Sequence, residues 1–178
     1  MGQKNTYWQI VGFVFTAFVG TLLHFLFDWA GGNVCIALFS AVNESIWEHL
    51  KLLFYPMLLF AIVEYFCYGK HLTNFWCIKQ IGIQTGLLLI PILYYTYTGI
   101  FGINADWLNI CIFFLVGATV YYLETKCFQR HFASPLNPIW TFLVMGILVL
   151  LFTVFTFRPP HIPLFQDPTT GSFGFQHQ

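Results

Sequence analysis

The sequence predicts an all-α integral membrane protein, with about five transmembrane helices and a short re-entrant or interfacial helix between the first two. Three observations carry this. Hydrophobic residues make up 58% of the chain and charged residues 8%, with a mean hydropathy of +0.71. A soluble domain carries about 25% charge, so this chain has too few polar groups to cover its own surface. Five apolar runs approach the ~20 residues that cross roughly 30 Å of hydrocarbon. The 22 Phe, nine Tyr and six Trp fit lipid-facing rings and interfacial belts. The expected partner is therefore the lipid bilayer. Net charge is zero and no basic patch stands out, which argues against nucleic acid as a partner.

The first span covers about 8–27. It has full membrane length, is rich in aromatic residues and lacks an A-x-A-like cleavage site, so it reads as a span and not a signal peptide. Gly12, Thr16 and Gly20 repeat every four residues, and small residues at that spacing let membrane helices approach closely. The same row continues to His24 and Asp28, so His24 is expected to face the bundle. Asp28 either pairs with His24 or opens the loop that follows. Within 28–49, the weakly apolar piece Cys35 to Val42 is too short to span. Lipid cannot satisfy irregular backbone, so this piece is expected to be buried in protein. Asn43 or Ser40 is expected to cap the next helix, with Glu44 in its first turn.

The remaining spans cover about 50–68, 76–98, 107–125 and 138–157, making 1–178 a single transmembrane domain. Pro56 and Pro91 fall inside spans and predict kinks or adapted packing. The tail 158–178 opens Arg158-Pro159-Pro160-His161-Ile162-Pro163, and its prolines enforce an extended path. Ile162, Leu164, Phe165 and Phe173 are more apolar than a disordered tail needs. The tail is expected to fold back over the outer face. The five Cys show no zinc-type spacing and read as small apolar core residues.

Lysine and arginine set the orientation. Lys4, Lys70, Lys79, Lys126 and Arg130 fall on one side, and only Lys51 and Arg158 on the other. The N-terminus is then cytoplasmic and the C-terminus external, in a plasma membrane, with a bacterial source expected. This collects His24, Asp28, Asn43, Glu44, Glu48, His49, Lys51, Asp106, Arg158, His161 and Asp167 at the outer side. Glu64, His71, Glu124, Lys126, Arg130 and His131 fall at the inner side. There, Glu64 and Glu124 are expected to snorkel or to pair with Lys126 or Arg130, and Lys79 to snorkel.

Residues 43–51 are the most informative stretch: Asn-Glu-Ser-Ile-Trp-Glu-His-Leu-Lys. Ionisable groups beside a bilayer core are functional-site candidates by default. One reading is a capped, solvated helix start in which a Glu48–Lys51 bridge contributes only a few tenths of a kcal/mol. The other is a site. Carboxylate plus imidazole is the ligand set of zinc and other divalent metals. On this reading His24, Asp28, Glu44 and Glu48 are the metal ligands and a divalent metal such as zinc is the cofactor. Glu44 and Glu48 are the catalytic carboxylates, one of them acting on a metal-bound water. Asn43, Ser45, His49, Lys51, Arg158 and His161 are the surrounding binding residues. Adjacent Glu48 and His49 point about 100° apart on a helix, so at most one is a ligand, and Glu48 is preferred.

The function this suggests is metal-assisted hydrolysis of a lipid-like or amide substrate. A competing reading is a small-solute or ion transporter or channel, as a homo-oligomer, whose path continues through Glu64 and Glu124. A third is a non-catalytic membrane scaffold in which the cluster only pins the tail.

Three motifs together resemble a family of small bacterial multi-pass membrane proteins known only as a domain of unknown function. They are His24-x3-Asp28-Trp29, Asn43-Glu44-Ser45-x-Trp47-Glu48-His49-x-Lys51, and Pro159-Pro160-His161-Ile162-Pro163-Leu164-Phe165-Gln166-Asp167-Pro168-x2-Gly171. The resemblance covers essentially the whole chain. It implies topology and no chemistry. A fainter similarity is to alkaline ceramidase-like membrane hydrolases, which hold zinc with His and Asp ligands and a Ser near the membrane face. It is carried by His24, Asp28 and Ser40 or Ser45. Those proteins have seven spans and a late HxxxH pair, where this chain has about five spans and lacks the pair.

Overall fold

A computed structural model of the chain describes residues 2–72, 74–130 and 138–176. Among them are six α-helices: α1 (Gly2–Trp29), α2 (Val34–Ala37), α3 (Ile46–Cys67), α4 (Phe75–Phe101), α5 (Asp106–Gln129) and α6 (Pro138–Phe157). All except α2 are long and apolar enough to cross a membrane. His131 and most of the 126–137 loop lie outside the described residues, as do the last two residues of the tail.

Helix α3 is the hub. It packs against α1 on one side and α4 on the other, while α5 closes the ring by contacting both α1 and α4. Leu53, Phe54 and Met57 of α3, Ile83 of α4 and Val116 and Val120 of α5 form the buried centre. Helix α6 lies outside this ring, against α4 and α3. The outward faces carry Tyr7, Phe18, Phe66, Ile100 and Trp107, each about two-thirds exposed. That is what lipid as solvent allows and water penalises.

The four-residue row of α1 faces inward, as its spacing predicts. An ideal Cβ on Gly12 would lie 2.6 Å from the Phe60 and Tyr121 rings, and one on Gly20 2.5 Å from the Leu52 carbonyl oxygen. Thr16 is fully buried between them, its hydroxyl 2.8 Å from the Tyr121 hydroxyl. Pro56 and Pro91 sit inside continuous helices.

Segment 28–49 holds a short helix between α1 and α3, as expected, but Cys35 and Phe39 are exposed where burial was expected, and the cap of α3 differs. Only one helical turn forms, α2, capped by the Asn33 side chain. The rest is irregular, held by side chains in place of backbone pairing. Ser40 is fully buried and its hydroxyl bonds the Leu23 carbonyl and the Phe27 amide, which ties the segment to the end of α1. The cap of α3 is Ser45, with neither Ser40 nor Asn43 in that place. The Ser45 hydroxyl accepts from the Glu48 amide at 3.3 Å. Asn43 instead accepts the Ser45 amide at 2.9 Å, which shapes the turn before the cap.

The other end of the bundle also departs from the sequence expectation. Lys79 does not snorkel; it is buried between Glu64 and Glu124, at 2.6 and 2.7 Å. Neither glutamate pairs with Lys126, whose ammonium lies 5.1 Å from the Tyr122 ring centre.

Candidate functional site

The close approach at Gly20 sets the site. Helix α1 lies against the α3 backbone there, and His24 follows one turn later. Helix α3 presents His49 from its first turn, so the two imidazoles meet with ring centres 5.2 Å apart. Helix α3 starts at Ile46, which leaves Glu44 outside it and free to turn toward both rings. Glu44 Oε2 lies 3.4 Å from His49 Nε2, and Oε1 lies 3.9 Å from His24 Nε2. One donor atom from each of His24, Glu44 and His49 lies within 4.8 Å of the others.

Two His and one Glu make a donor set that holds catalytic zinc with a fourth position left open. Zinc–ligand bonds near 2.0–2.1 Å in tetrahedral array separate the ligands by about 3.4 Å; Glu44 and His49 already lie that far apart, and His24 would have to move in toward them. A second feature points the same way. His49 Nδ1 lies 2.9 Å from the Ser45 carbonyl oxygen, which can only accept, so Nδ1 carries a proton. A neutral His49 then aims the Nε2 lone pair at the Glu44 carboxylate. Two acceptors face each other, and a proton or a metal ion between them removes the conflict. Fixing the second nitrogen on a carbonyl is also how metal-binding histidines are oriented. When His49 is protonated, Nε2 donates to Glu44, and this bond holds the Glu44 carboxyl below the usual carboxylate range, against its partial burial.

The three residues line one cavity of about 480 Å3, within the roughly 300–1,000 Å3 of small-ligand sites. Its walls are mostly apolar, among them Leu52, Ile90, Ile112 and Phe113. Asn104 from the α4–α5 turn, and Asp106 and Asn109 from the start of α5, add polar groups.

The tail reaches this mouth. Pro168 and Thr169 line the cavity. Asp167 Oδ2 accepts the Glu44 amide at 3.4 Å, and its Oδ1 accepts from the Thr169 amide at 2.7 Å. Burial raises the Asp167 carboxyl, but the bonds from Thr169, Thr170 and Glu44 outweigh it and hold the group below its ordinary value. Farther along, Gly174 O accepts from Asn43 Nδ2 at 3.1 Å and the Phe175 amide donates to Thr156 O at 2.7 Å. Phe165 is buried against Trp47.

A family model matches residues 1–175, nearly the whole chain. The chain belongs to DUF6512, a family of unknown function. No curated protein and no solved structure shows significant similarity to it.

In this DUF6512 chain the expected site residues divide into separate groups. His24 and Glu44 meet, and the third member beside them is His49. Glu48 points the other way, as the 100° step between neighbours requires. Its carboxylate pairs with Lys51 and accepts from the Val42 amide and the Thr156 hydroxyl. Lys51 also donates to the Ala37 carbonyl and Thr156 at 2.8 and 2.9 Å, and both charged groups are fully buried. This pair ties α3 to α2 and α6. Asp28 is exposed at the end of α1, outside the donor triad. Arg158 is exposed and His161 stacks on Phe173 at 4.6 Å; neither lines the cavity. Sequence reasoning passed over Asn104 and Asn109. Their signal was Asn-Ala-Asp-x-x-Asn, a polar turn in a chain with few polar residues.

Proposed function

We propose that His24, Glu44 and His49 hold a divalent metal such as zinc, and that the protein uses it to hydrolyse a lipid-like amide or ester in a membrane. The observation that carries this reading is the placement of a His2Glu donor set on the wall of a mostly apolar cavity. A bound ion would supply Lewis acidity and a water acidic enough to act as nucleophile near neutral pH. Ser45 O holds the His49 ring with Nε2 toward Glu44, where it would be free to bind the ion. The apolar walls take a hydrocarbon portion, and the substrate carbonyl sits toward the triad. Hydrolysis joins the water oxygen to the acyl carbon, breaks the bond to nitrogen or oxygen and passes the water proton to the leaving group. Lysine and arginine distribution supports an N-terminus inside, which puts the site at the outer leaflet.

The test is metal analysis of the purified full chain in detergent, loaded with zinc and passed through chelator-free buffer. One ion per chain is expected, lost in His24→Ala and in Glu44→Ala and kept in Asp28→Asn. No bound ion in the wild type would sink the proposal. Release of fatty acid from a panel of lipid amides and esters tests the second half. Bound metal without release from any of them would leave a metal site and remove the hydrolase.

A further inference from the structure

The opposite end of the bundle holds a second buried charged group that hydrolysis does not use. Four helices contribute to it: Gln9 from α1, Glu64 from α3, Lys79 from α4 and Glu124 from α5. All four residues are at most 2% exposed. Lys79 Nζ donates to Glu124 Oε2 at 2.7 Å and to Gln9 Oε1 at 3.1 Å, and lies 2.6 Å from Glu64 Oε2. Gln9 Nε2 donates to Glu64 Oε1 at 2.7 Å. The rings of Phe75, Tyr121 and Phe128 surround the ammonium at 5.3–5.7 Å.

The charges do not balance. Two carboxylates face one ammonium, and the other polar neighbours are neutral: Gln9, Tyr121 with its hydroxyl engaged by Thr16, Tyr68 near Glu64 with its hydroxyl bonded to Asn5, and the Cys127 thiol near Glu124. A surplus negative charge buried among membrane helices is expensive to keep. The oxygens are also unequal. Glu64 Oε2 and Glu124 Oε1 are both buried without a hydrogen-bond partner, but Glu64 Oε2 has the Lys79 ammonium at 2.6 Å, whereas no cation is paired with Glu124 Oε1. Glu124 Oε1 lies against the α4 backbone, so close that a Cβ on Gly82 would sit 2.2 Å from it. No room is left there for a hydrated ion.

We infer that the Gln9–Glu64–Lys79–Glu124 cluster is a proton-binding site, carrying one exchangeable proton beyond that of Lys79, seated on Glu124. The ligand is a proton, because the charge to be balanced is one and the space beside Oε1 is filled. Its release leaves an uncompensated charge at the point where α1, α3, α4 and α5 meet. Occupancy therefore couples protonation to the packing of the whole ring. The site is independent of the metal triad and stands whether or not a metal binds there.

The test is infrared spectroscopy of the full chain in lipid, where a protonated carboxyl absorbs apart from carboxylates and shifts in deuterated water. The wild type is expected to show such a band at neutral pH. Charge counting removes the band in Glu124→Gln and also in Glu64→Gln, since either leaves one carboxylate for one ammonium. Lys79→Met leaves two carboxylates and no ammonium, so the band should grow about twofold. No band in the wild type, or a band unchanged in Glu124→Gln or Glu64→Gln, overturns the inference. A wild-type carboxylate signal that depends on added sodium overturns it too, in favour of an alkali ion. Should Lys79→Met fail to fold, the wild type and the two isosteric glutamine variants still decide.

Discussion

Replacing Gly20 with Ala should damage the candidate site without touching any of its polar residues. The new Cβ would fall 2.5 Å from Leu52 O and 2.8 Å from Phe113 Cζ, where ordinary contact begins at 3.4 Å. A backbone carbonyl cannot swing aside as a flexible side chain can. Helix α1 must therefore retreat from α3 by nearly 1 Å. Overpacking of this kind costs roughly 1–3 kcal/mol. His24 rides on α1 and His49 on α3, so the same retreat separates them. Metal geometry tolerates about 0.2 Å, and a loss of supporting structure commonly lowers metal affinity about 10–100-fold. Gly20→Ala is therefore expected to weaken zinc binding at least tenfold. Two controls isolate the cause. Gly12→Ala meets the Phe60 and Tyr121 rings at 2.6 Å, farther from His24 along the same helix, and should lower stability with less effect on zinc. Gly146→Ala meets nothing within 4 Å, and losing a helical glycine should stabilise by about 0.4–1 kcal/mol. The assays are reversible unfolding in mixed micelles and zinc competition against a chromophoric chelator. If Gly20→Ala matches the wild type in both, the close-approach reasoning is wrong.

Other outcomes follow from the same structure. Glu48→Ala should destabilise by about 3–5 kcal/mol, because it strands the buried Lys51 ammonium; replacing both by Met should cost less, and unfolding of the two variants against the wild type checks the order. Zinc affinity should fall as the solution is made acidic, since His24 and His49 bind only when deprotonated; competition titrations at falling pH test it. The folded-state value of Asp167 lies below its unfolded value. Its contribution is then complete above the unfolded value of about 3.9 and is lost as pH falls through the folded one. Protease cutting of the tail should accelerate in acid for the wild type, and already at neutral pH for Asp167→Asn.

The five long apolar helices were legible because their signal is length and hydropathy, which each segment carries alone. The inward row of α1 was legible for a similar reason: helical spacing fixes which residues share a face, and Gly12, Thr16, Gly20 and His24 needed nothing else. Segment 28–49 was not, because its order comes from single contacts such as Ser40 with Leu23 and Phe27, which carry no periodic pattern. The partner of Glu64 and Glu124 was misjudged because proximity in sequence favoured Lys126 and Arg130. Lys79 reaches them only because α3, α4 and α5 meet side by side, and no sequence spacing records that.

The 43–51 stretch holds two jobs that its composition merged. Starting α3 at Ile46, with Ser45 as the cap, places Glu48 and Lys51 on the buried face and His49 beside it. The ionic groups with full sets of partners, Glu48 and Lys51, are consumed in joining α3 to α2, α6 and the irregular segment. Glu44 and His49 are left half-exposed beside His24, and the Ser45 carbonyl leaves His49 Nε2 facing a carboxylate with no proton of its own to give. A site can bind a ligand only with groups that folding has not already satisfied. By that criterion Glu48, expected from the sequence to be a metal ligand and catalytic carboxylate, instead fastens the scaffold together with Lys51. The loosely held triad, next to an apolar cavity and under the turn of the tail at Asp167, is what remains available for chemistry.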